Sequence, residues 1–444
     1  MISDGNPSSA RDVALSVLSG SERGHTDELL SAELDSASLS VKDRQFATEL
    51  VQGTLRWRGL LDFHLRRWFQ GDYRRADLYL KNVLRLGLYQ LLYLDRVPDH
   101  AAVDSSVELA KQRVGLKAAR LVNAILRRAV REKDSLPEPD SRNRLDWVSI
   151  STSHPQWLVR RWVSRFGWQE TEALCRCNNA VPDLWLRWNP LKTDRQSFLA
   201  ILKESGTEVE ESDISPRHVL IRDNLDDPIL RLLQDGLCTV QDVSAGLPVA
   251  LLDPQPGEII LDFCSAPGGK ATQIAETLAD NGVIVAQDVS GDRVTKVVEN
   301  VIRLGLTSIR CVVGNGLGLR NHTFDRILLD VPCSGLGVLG RRPDIRWKRN
   351  LSEIRFLATV QRSILETAAN LVKTDGVIVY STCTTEPEEN WEQIDQFLLD
   401  HPQWRRDNAE HWVNPSVVNP RGEIETYPHI HHMVGSYAVR LVRN

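Results

Sequence analysis

The sequence predicts three successive fold types in one multidomain chain: an all-α bundle, a small α+β module and an α/β domain with a largely parallel sheet. Three observations carry this. Within residues 8 to about 132 apolar residues recur every four residues at Leu80, Leu84, Leu88 and Leu92 and again at Leu121 and Ile125, and no strand-like alternation interrupts them. Helical and alternating patterns mix between about 150 and 240, and from about 245 short apolar runs alternate with helical ones.

Composition agrees with several folded domains. The 444 residues are 42% hydrophobic and 25% charged, enough to bury sizeable cores. Fifty-four Lys and Arg against 59 Asp and Glu give a net charge of -5, which argues against bulk positive charge as the means of holding nucleic acid. No apolar run approaches the ~18 residues of a membrane span, and the polar start Met1 to Pro7 lacks the parts of a secretion signal, so no membrane contact and a cytoplasmic location are expected. The cysteines 175, 177, 238, 264, 311, 333 and 383 form no Cys-x-x-Cys pair, so reduced thiols and no metal are expected.

In the first domain, residues 8–140, Ser40 and Asp43 have the form of a helix start ahead of Phe46, Leu50 and Val51. Residues 51–150 hold 19 basic and 12 acidic side chains. Arg127, Arg128 and Arg131 stand on the last helix, after a dense earlier group of Arg66, Arg67, Arg74 and Arg75. Taken alone, such a run reads as a solvated helix face; in a chain that binds RNA, Arg127, Arg128 and Arg131 are candidate RNA contacts. The Pro-rich acidic stretch 132–140 reads as a linker.

In the middle module, residues 150–240, Pro155 suits the first turn of a helix carrying Trp157, Leu158, Trp162 and Phe166. Leu184 to Trp188 alternates like a strand, and 194–205 is helical again. The tryptophans are read as core, and none is assigned an RNA contact.

In the third domain, residues 241–444, the run Ile259 to Phe263 feeds Cys264-Ser265-Ala266-Pro267-Gly268-Gly269-Lys270, after which a helical pattern opens. A strand, a Gly-rich turn and a helix start together make a nucleotide-cofactor site, because glycine admits close backbone approach and helix N-terminal N–H groups bind anions. Asp288, 19 residues beyond Gly269 at the end of a second strand, is placed to accept from ribose hydroxyls. A third strand leads to Gly314-Asn315-Gly316, a fourth (Ile327 to Asp330) to Val331-Pro332-Cys333-Ser334-Gly335, and a fifth (Gly376 to Tyr380) to Ser381-Thr382-Cys383. Since ligands of open α/β sheets bind at the carboxyl ends of strands, Asp330, Cys333 and Cys383 should meet at one mouth. Single cysteines after buried strands are usually packing; two at neighbouring strand ends, one beside an acid and a proline, point to chemistry.

The stretches Leu261 to Lys270, Leu329 to Gly335 and Tyr380 to Cys383, with Pro387-Glu388-Glu389-Asn390, resemble the signature motifs of RNA 5-methylcytosine methyltransferases. With a first domain similar to the antitermination factor NusB, the arrangement is similar to the bacterial Sun/Fmu (RsmB) family acting on 16S ribosomal RNA. The resemblance covers nearly the whole chain. It implies a Rossmann-like class I methyltransferase domain, S-adenosylmethionine as cofactor, RNA-binding roles for the NusB-like and middle domains, and 16S ribosomal RNA, free or partly assembled, as partner to a monomer.

The chemistry requires such groups. Carbon 5 of cytosine is a poor nucleophile until a thiolate adds at carbon 6, and an ordinary thiol of pKa ~8.5 is only slightly ionised at neutral pH. The resemblance implies Cys383 as nucleophile, Cys333 in product release, Asp330 holding the cytosine edge at N3, and Lys270 assisting. It further implies that residues 264–270 wrap the cofactor, Asp288 takes the ribose, Asp330 borders the methyl donor and Asn315 faces the adenine. The family commonly has Asp at position 315; Asn keeps an acceptor oxygen and loses the charge. DNA-type enzymes use the cysteine of a Pro-Cys pair, here Cys333; the presence of both cysteines favours Cys383. Arg341, Arg342, Arg346, Lys348 and Arg349 follow Cys333 closely enough to be expected at RNA phosphates beside an extruded base.

Three other readings stay open. Another RNA, such as transfer RNA, could be the substrate. A nicotinamide dehydrogenase would share the glycine loop and Asp288 without needing paired cysteines, and a non-catalytic assembly factor would need only the basic helical domain.

Overall fold

The computed structural model describes residues 9–22, 24–222, 227–319 and 323–444, so the polar start at residues 1–7 lies outside the described residues. The chain divides into two compact units, residues 1–180 with 339–348, and residues 181–338 with 349–444.

The first unit is helical among its described residues. Helices Ala10–Gly20, Thr26–Ser36, Val41–Arg56, Arg58–Trp68, Leu78–Tyr93, Asp99–Arg113 and Leu116–Glu132 bury a common core that includes Val13, Leu50, Leu84, Leu88, Val122 and Leu126. Ser40 caps Val41–Arg56 by accepting from the Asp43 N–H at 3.2 Å, as its sequence position predicts. Gly87 marks a close helix approach: a Cβ there would lie 2.5 Å from Leu126 and 2.7 Å from Ser106. A buried Arg85 forks onto Asp62 through two bonds of 2.7 Å.

Helix Gln156–Cys177 also belongs to this unit, kinked at Gly167 where φ is 77°. The module expected over 150–240 is therefore divided, with its long helix in one unit and its sheet in the other. Trp162 is fully buried, in keeping with the core reading of that tryptophan.

The second unit opens with an antiparallel sheet of β1 (Leu184–Trp188), β2 (Val209–Glu211), β3 (His218–Ile221) and β4 (Cys238–Val240), in the order β2-β3-β1-β4. Leu186, Phe198, Leu202, Val219 and Ile221 fill its core. The large sheet comprises β5 (Ile259–Asp262), β6 (Val283–Asp288), β7 (Ile309–Val313), β8 (Phe324–Asp330), β9 (Val372–Thr382), β10 (Trp404–Asp407), β11 (Ile424–Thr426) and β12 (Ser436–Arg443).

Its order is β10-β12-β9-β8-β5-β6-β7, with β11 on β12. Strands β5 to β9 pair in parallel, and β12 pairs antiparallel with β9. Leu261, Ile327, Leu328, Ile378 and Val379 are completely buried, which explains why these strands read as unbroken apolar runs. Strand order reverses at β5, between β6 and β8, so the crevice of the sheet opens where Asp262, Asp288 and Asp330 end their strands.

Candidate active site

The turn after β5 is built to be held open. Gly268, at φ 97°, caps helix Gly269–Thr277, a backbone state that a side chain disfavours. The Ala266 carbonyl accepts from Arg293 Nη2 and the Pro267 carbonyl from Asn300 Nδ2, each at 3.0 Å. Asp288, at the end of β6, accepts from the Ala266 N–H at 3.3 Å and the Ser290 N–H at 3.2 Å. A carboxylate has about four acceptor positions, so lone pairs remain for a diol. Asn315 is exposed after β7, and the preceding Gly314 N–H donates to the Asp288 carbonyl at 3.0 Å.

Asp262 was not among the residues singled out from sequence, though it shares the strand-end position of Asp288 and Asp330. It is fully buried, and neither carboxylate oxygen has a hydrogen-bond partner among the described residues. Burial first, and then the charge of Asp330, push its carboxyl up to about 7. An unpartnered buried acid beside a glycine turn fits a ligand that brings positive charge and donors, as the ammonium and sulfonium of S-adenosylmethionine do.

Lys270 is the second residue of that helix and places Nζ 2.5 Å from Asp330 Oδ2. Burial opposes its ammonium, but Asp330 outweighs burial and holds the lysine above its ordinary pKa. The other Asp330 oxygen accepts from the Ser381 hydroxyl at 3.1 Å, which ties the end of β8 to the end of β9.

The two cysteines meet there. Cys333 Sγ and Cys383 Sγ are 3.2 Å apart, and the Cys383 N–H donates to Cys333 Sγ at 3.4 Å. A hydrogen bond from Cys333 lowers the pKa of the Cys383 thiol, outweighing its burial and the opposing charge of Asp330, with Lys270 adding to the lowering. Cys333 moves the other way, raised first by that same pairing and then by burial and Glu389. The arrangement therefore favours ionisation of Cys383 over that of Cys333.

Arg187 on β1 also bears on the cofactor turn, and the Leu-Trp-Leu-Arg-Trp pattern gave no signal of it. Fully buried, it forks onto Glu276 through two bonds of 3.0 Å and donates to the Gly269 carbonyl at 2.9 Å.

The run 341–349 is a correction to the sequence reading. Arg346 is completely buried and donates to the carbonyls of Ser153, Asn178 and Leu339 at 3.2, 3.1 and 3.4 Å and to Asn179 Oδ1 at 2.7 Å. Lys348 Nζ is bound to the Gly24 carbonyl, Thr26 and Asp344, Arg342 pairs with Asp27, and Arg349 donates to the Ser334 carbonyl. Arg341 is half-buried among them. Arg346 is therefore internal scaffolding and not a grip on phosphates, while Arg342, Lys348 and Arg349 are engaged by protein acceptors and partly exposed. Arg127, Arg128 and Arg131 are exposed, with Arg127 bonded to Asn123 and Arg128 paired with Glu132 at 2.7 Å.

Residues 249–442 match the family model described as 16S rRNA methyltransferase RsmB/F. Residues 8–131 match the NusB family, and 154–226 match the ferredoxin-like domain of RsmF/B-like methyltransferases. The chain is similar to the probable ribosomal RNA small subunit methyltransferase B of Synechocystis sp., with 40% identity over 98% of this chain and 99% of that one. Its counterpart in Bacillus subtilis is 36% identical over 95% and 96%. The fold is similar to the crystal structure of PH0851, with a TM-score of 0.82 and 24% identity over 97% of this chain and 98% of that one.

Proposed function

The chain belongs to the ribosomal RNA small subunit methyltransferase B family, and from that premise we propose that it methylates carbon 5 of a cytidine in 16S ribosomal RNA through a covalent adduct on Cys383. The observation that carries the proposal is the 3.2 Å pair of cysteines beside the Lys270–Asp330 ion pair at the strand ends. An enzyme that methylated an exposed nitrogen or oxygen would need a base and no paired thiols.

Residues 264–270, Asp288 and Asn315 would hold S-adenosylmethionine, which when bound would supply an electrophilic methyl group for carbon 5. Cys383 Sγ adds to carbon 6, and the ring electron pair moves toward carbon 5 and N3. Asp330 holds the N3 edge, and the proton that N3 takes up as charge develops comes from the Lys270 ammonium, relayed through the Asp330 carboxylate it is bonded to. Once carbon 5 is methylated, a water takes its proton, the C5–H electron pair forms the C5–C6 double bond, the C6–S bond breaks with its pair returning to Cys383 Sγ, and N3 gives its proton back through Asp330 to Lys270. The S–H of Cys333 stabilises that departing thiolate, so the contact that activates the nucleophile also eases its release.

Bisulfite sequencing of 16S ribosomal RNA from cells with and without the gene tests the reading. One cytidine should lose its protection in the deletion strain and regain it with the wild-type gene. Unchanged 16S protection, or a change confined to transfer RNA, would overturn the proposed substrate.

A further inference from the structure

The adjacent residues Glu389 and Asn390 follow β9 and reach back to the neighbours of both cysteines. Asn390 Oδ1 accepts from the Thr382 hydroxyl at 2.6 Å and its Nδ2 donates to the Thr384 carbonyl at 2.9 Å, so the residues on either side of Cys383 are tied to one amide. Glu389 Oε1 accepts from the Ser334 N–H at 2.7 Å and from Gln361 Nε2 at 3.0 Å. Gln361 Nε2 also donates to the Pro332 carbonyl at 2.9 Å. The peptide groups on either side of Cys333 are therefore fixed by a Glu389–Gln361 pair, and the Tyr380 hydroxyl anchors Glu389 through its carbonyl at 2.6 Å.

Glu389 and Gln361 are completely buried, and Glu389 Oε2 has no hydrogen-bond partner among the described residues. A fixed carboxylate with an unsatisfied oxygen is more than the Ser334 contact needs, because a neutral amide would accept that N–H equally well and cost less to bury.

We infer that Glu389 is a positioning residue that sorts the two thiols: it fixes Cys333 against Cys383 and, through its negative charge, keeps the proton on Cys333. The inference rests on the proposed roles of the cysteines. A second anion at Cys333, between the Cys383 thiolate and the Glu389 carboxylate, is disfavoured from two sides. The groups that bear on Cys383 are Cys333, Asp330, Lys270 and Glu389, and those on Cys333 are Cys383, Glu389 and Tyr380. Glu389, raised first by burial and then by Glu386, is held toward its charged form by the bonds from Ser334 and Gln361. Lys270, the cation in this set, acts on Cys383, so the asymmetry of charge selects the nucleophile.

The test reads thiol reactivity with no RNA present. Full-length protein is alkylated with limiting iodoacetamide across a pH series, and the fractions modified at Cys333 and Cys383 are read by peptide mass spectrometry. Wild-type Cys383 should react at lower pH than Cys333; coincident or reversed midpoints overturn the inference with no mutant needed. Glu389→Gln, which keeps an acceptor for Ser334 and removes the charge, should speed Cys333 alkylation about tenfold and narrow its gap to Cys383. An unchanged Cys333 rate in a variant that still binds S-adenosylmethionine also overturns it. Should Cys383→Ala retain methyl transfer, the covalent mechanism fails while this ordering of thiols stands or falls by itself.

Discussion

Cys333 Sγ lies 3.2 Å from Cys383 Sγ although the two are 50 residues apart in the chain. The contact exists because β8 and β9 are parallel neighbours with Asp330 opposite Ser381, so the loops that leave them emerge side by side. A separation this short makes the two thiols one titrating pair, and their removal should have opposite consequences.

Cys383→Ala should abolish methyl transfer and leave S-adenosylmethionine binding nearly unchanged, because this thiol acts on the base. A tritium-transfer assay with calorimetry on the same preparation checks it. Activity near wild type would remove Cys383 from the mechanism.

Cys333→Ala should still add to the base and accept the methyl, then release RNA slowly. On a denaturing gel, this variant incubated with substrate RNA and S-adenosylmethionine should give a slow-migrating protein–RNA band that the double variant lacks. A band with Cys383→Ala and none with Cys333→Ala would exchange the roles.

Asp288→Ala should weaken cofactor binding by about 1.5 to 3 kcal/mol, roughly 10-fold to 150-fold in Kd, through lost charge-assisted bonds. The same carboxylate braces the Ala266 and Ser290 N–H groups, so the turn should also loosen, visible as faster amide exchange at those two positions. An unchanged Kd would contradict the placement of β6.

Asp262 gives a stability prediction with a definite sign. Its folded pKa of about 7 lies above its unfolded value of 3.8, so the folded state binds more protons between those limits and stability falls as pH rises through the window. Asp262→Asn removes that slope. Its stability relative to wild type should improve by up to about 4 kcal/mol between pH 4 and pH 8, measured by urea unfolding without cofactor. Parallel pH profiles for the two proteins would refute it.

Arg346 and the helix arginines should separate cleanly. Arg346→Ala leaves several buried acceptors without a donor and should cost at least about 2 kcal/mol of stability. Replacing Arg127, Arg128 and Arg131 together by Ala should leave stability nearly intact and reduce the slope of log K against log salt for RNA binding by about 2. An unaltered slope would take RNA off that helix face.

The parallel core of the sheet was legible because buried strands are unbroken apolar runs, most of them ended by a residue type depleted from strands: Asp262, Asp288, Gly314 and Asp330. The mouth of the site followed from that alone. The 341–349 run was misread because a buried arginine and a solvated one are the same letter; what distinguishes Arg346 is a set of carbonyls contributed by residues 153, 178 and 339. Glu389 and Asn390 were visible as a motif, yet their division of labour between two cysteines needed coordinates. Asp262 shows the reverse case, since the reasoning that marked Asp288 and Asp330 applied to it equally.

The membership of residues 339–348 in the helical unit has a consequence for biosynthesis. A nascent chain leaves the ribosome N-terminus first, and most leading domains can finish folding while the remainder is still being made. Here residues 1–180 emerge without the Arg346 that occupies the acceptors around Ser153 and Asn178, and without the Trp347 indole that donates to the Leu55 carbonyl at 2.9 Å. At ordinary elongation rates the missing decapeptide arrives on the order of 10 seconds later. The leading unit must wait in an incomplete state through that interval, and a gene fragment ending near residue 180 would encode a bundle with an unfilled seat.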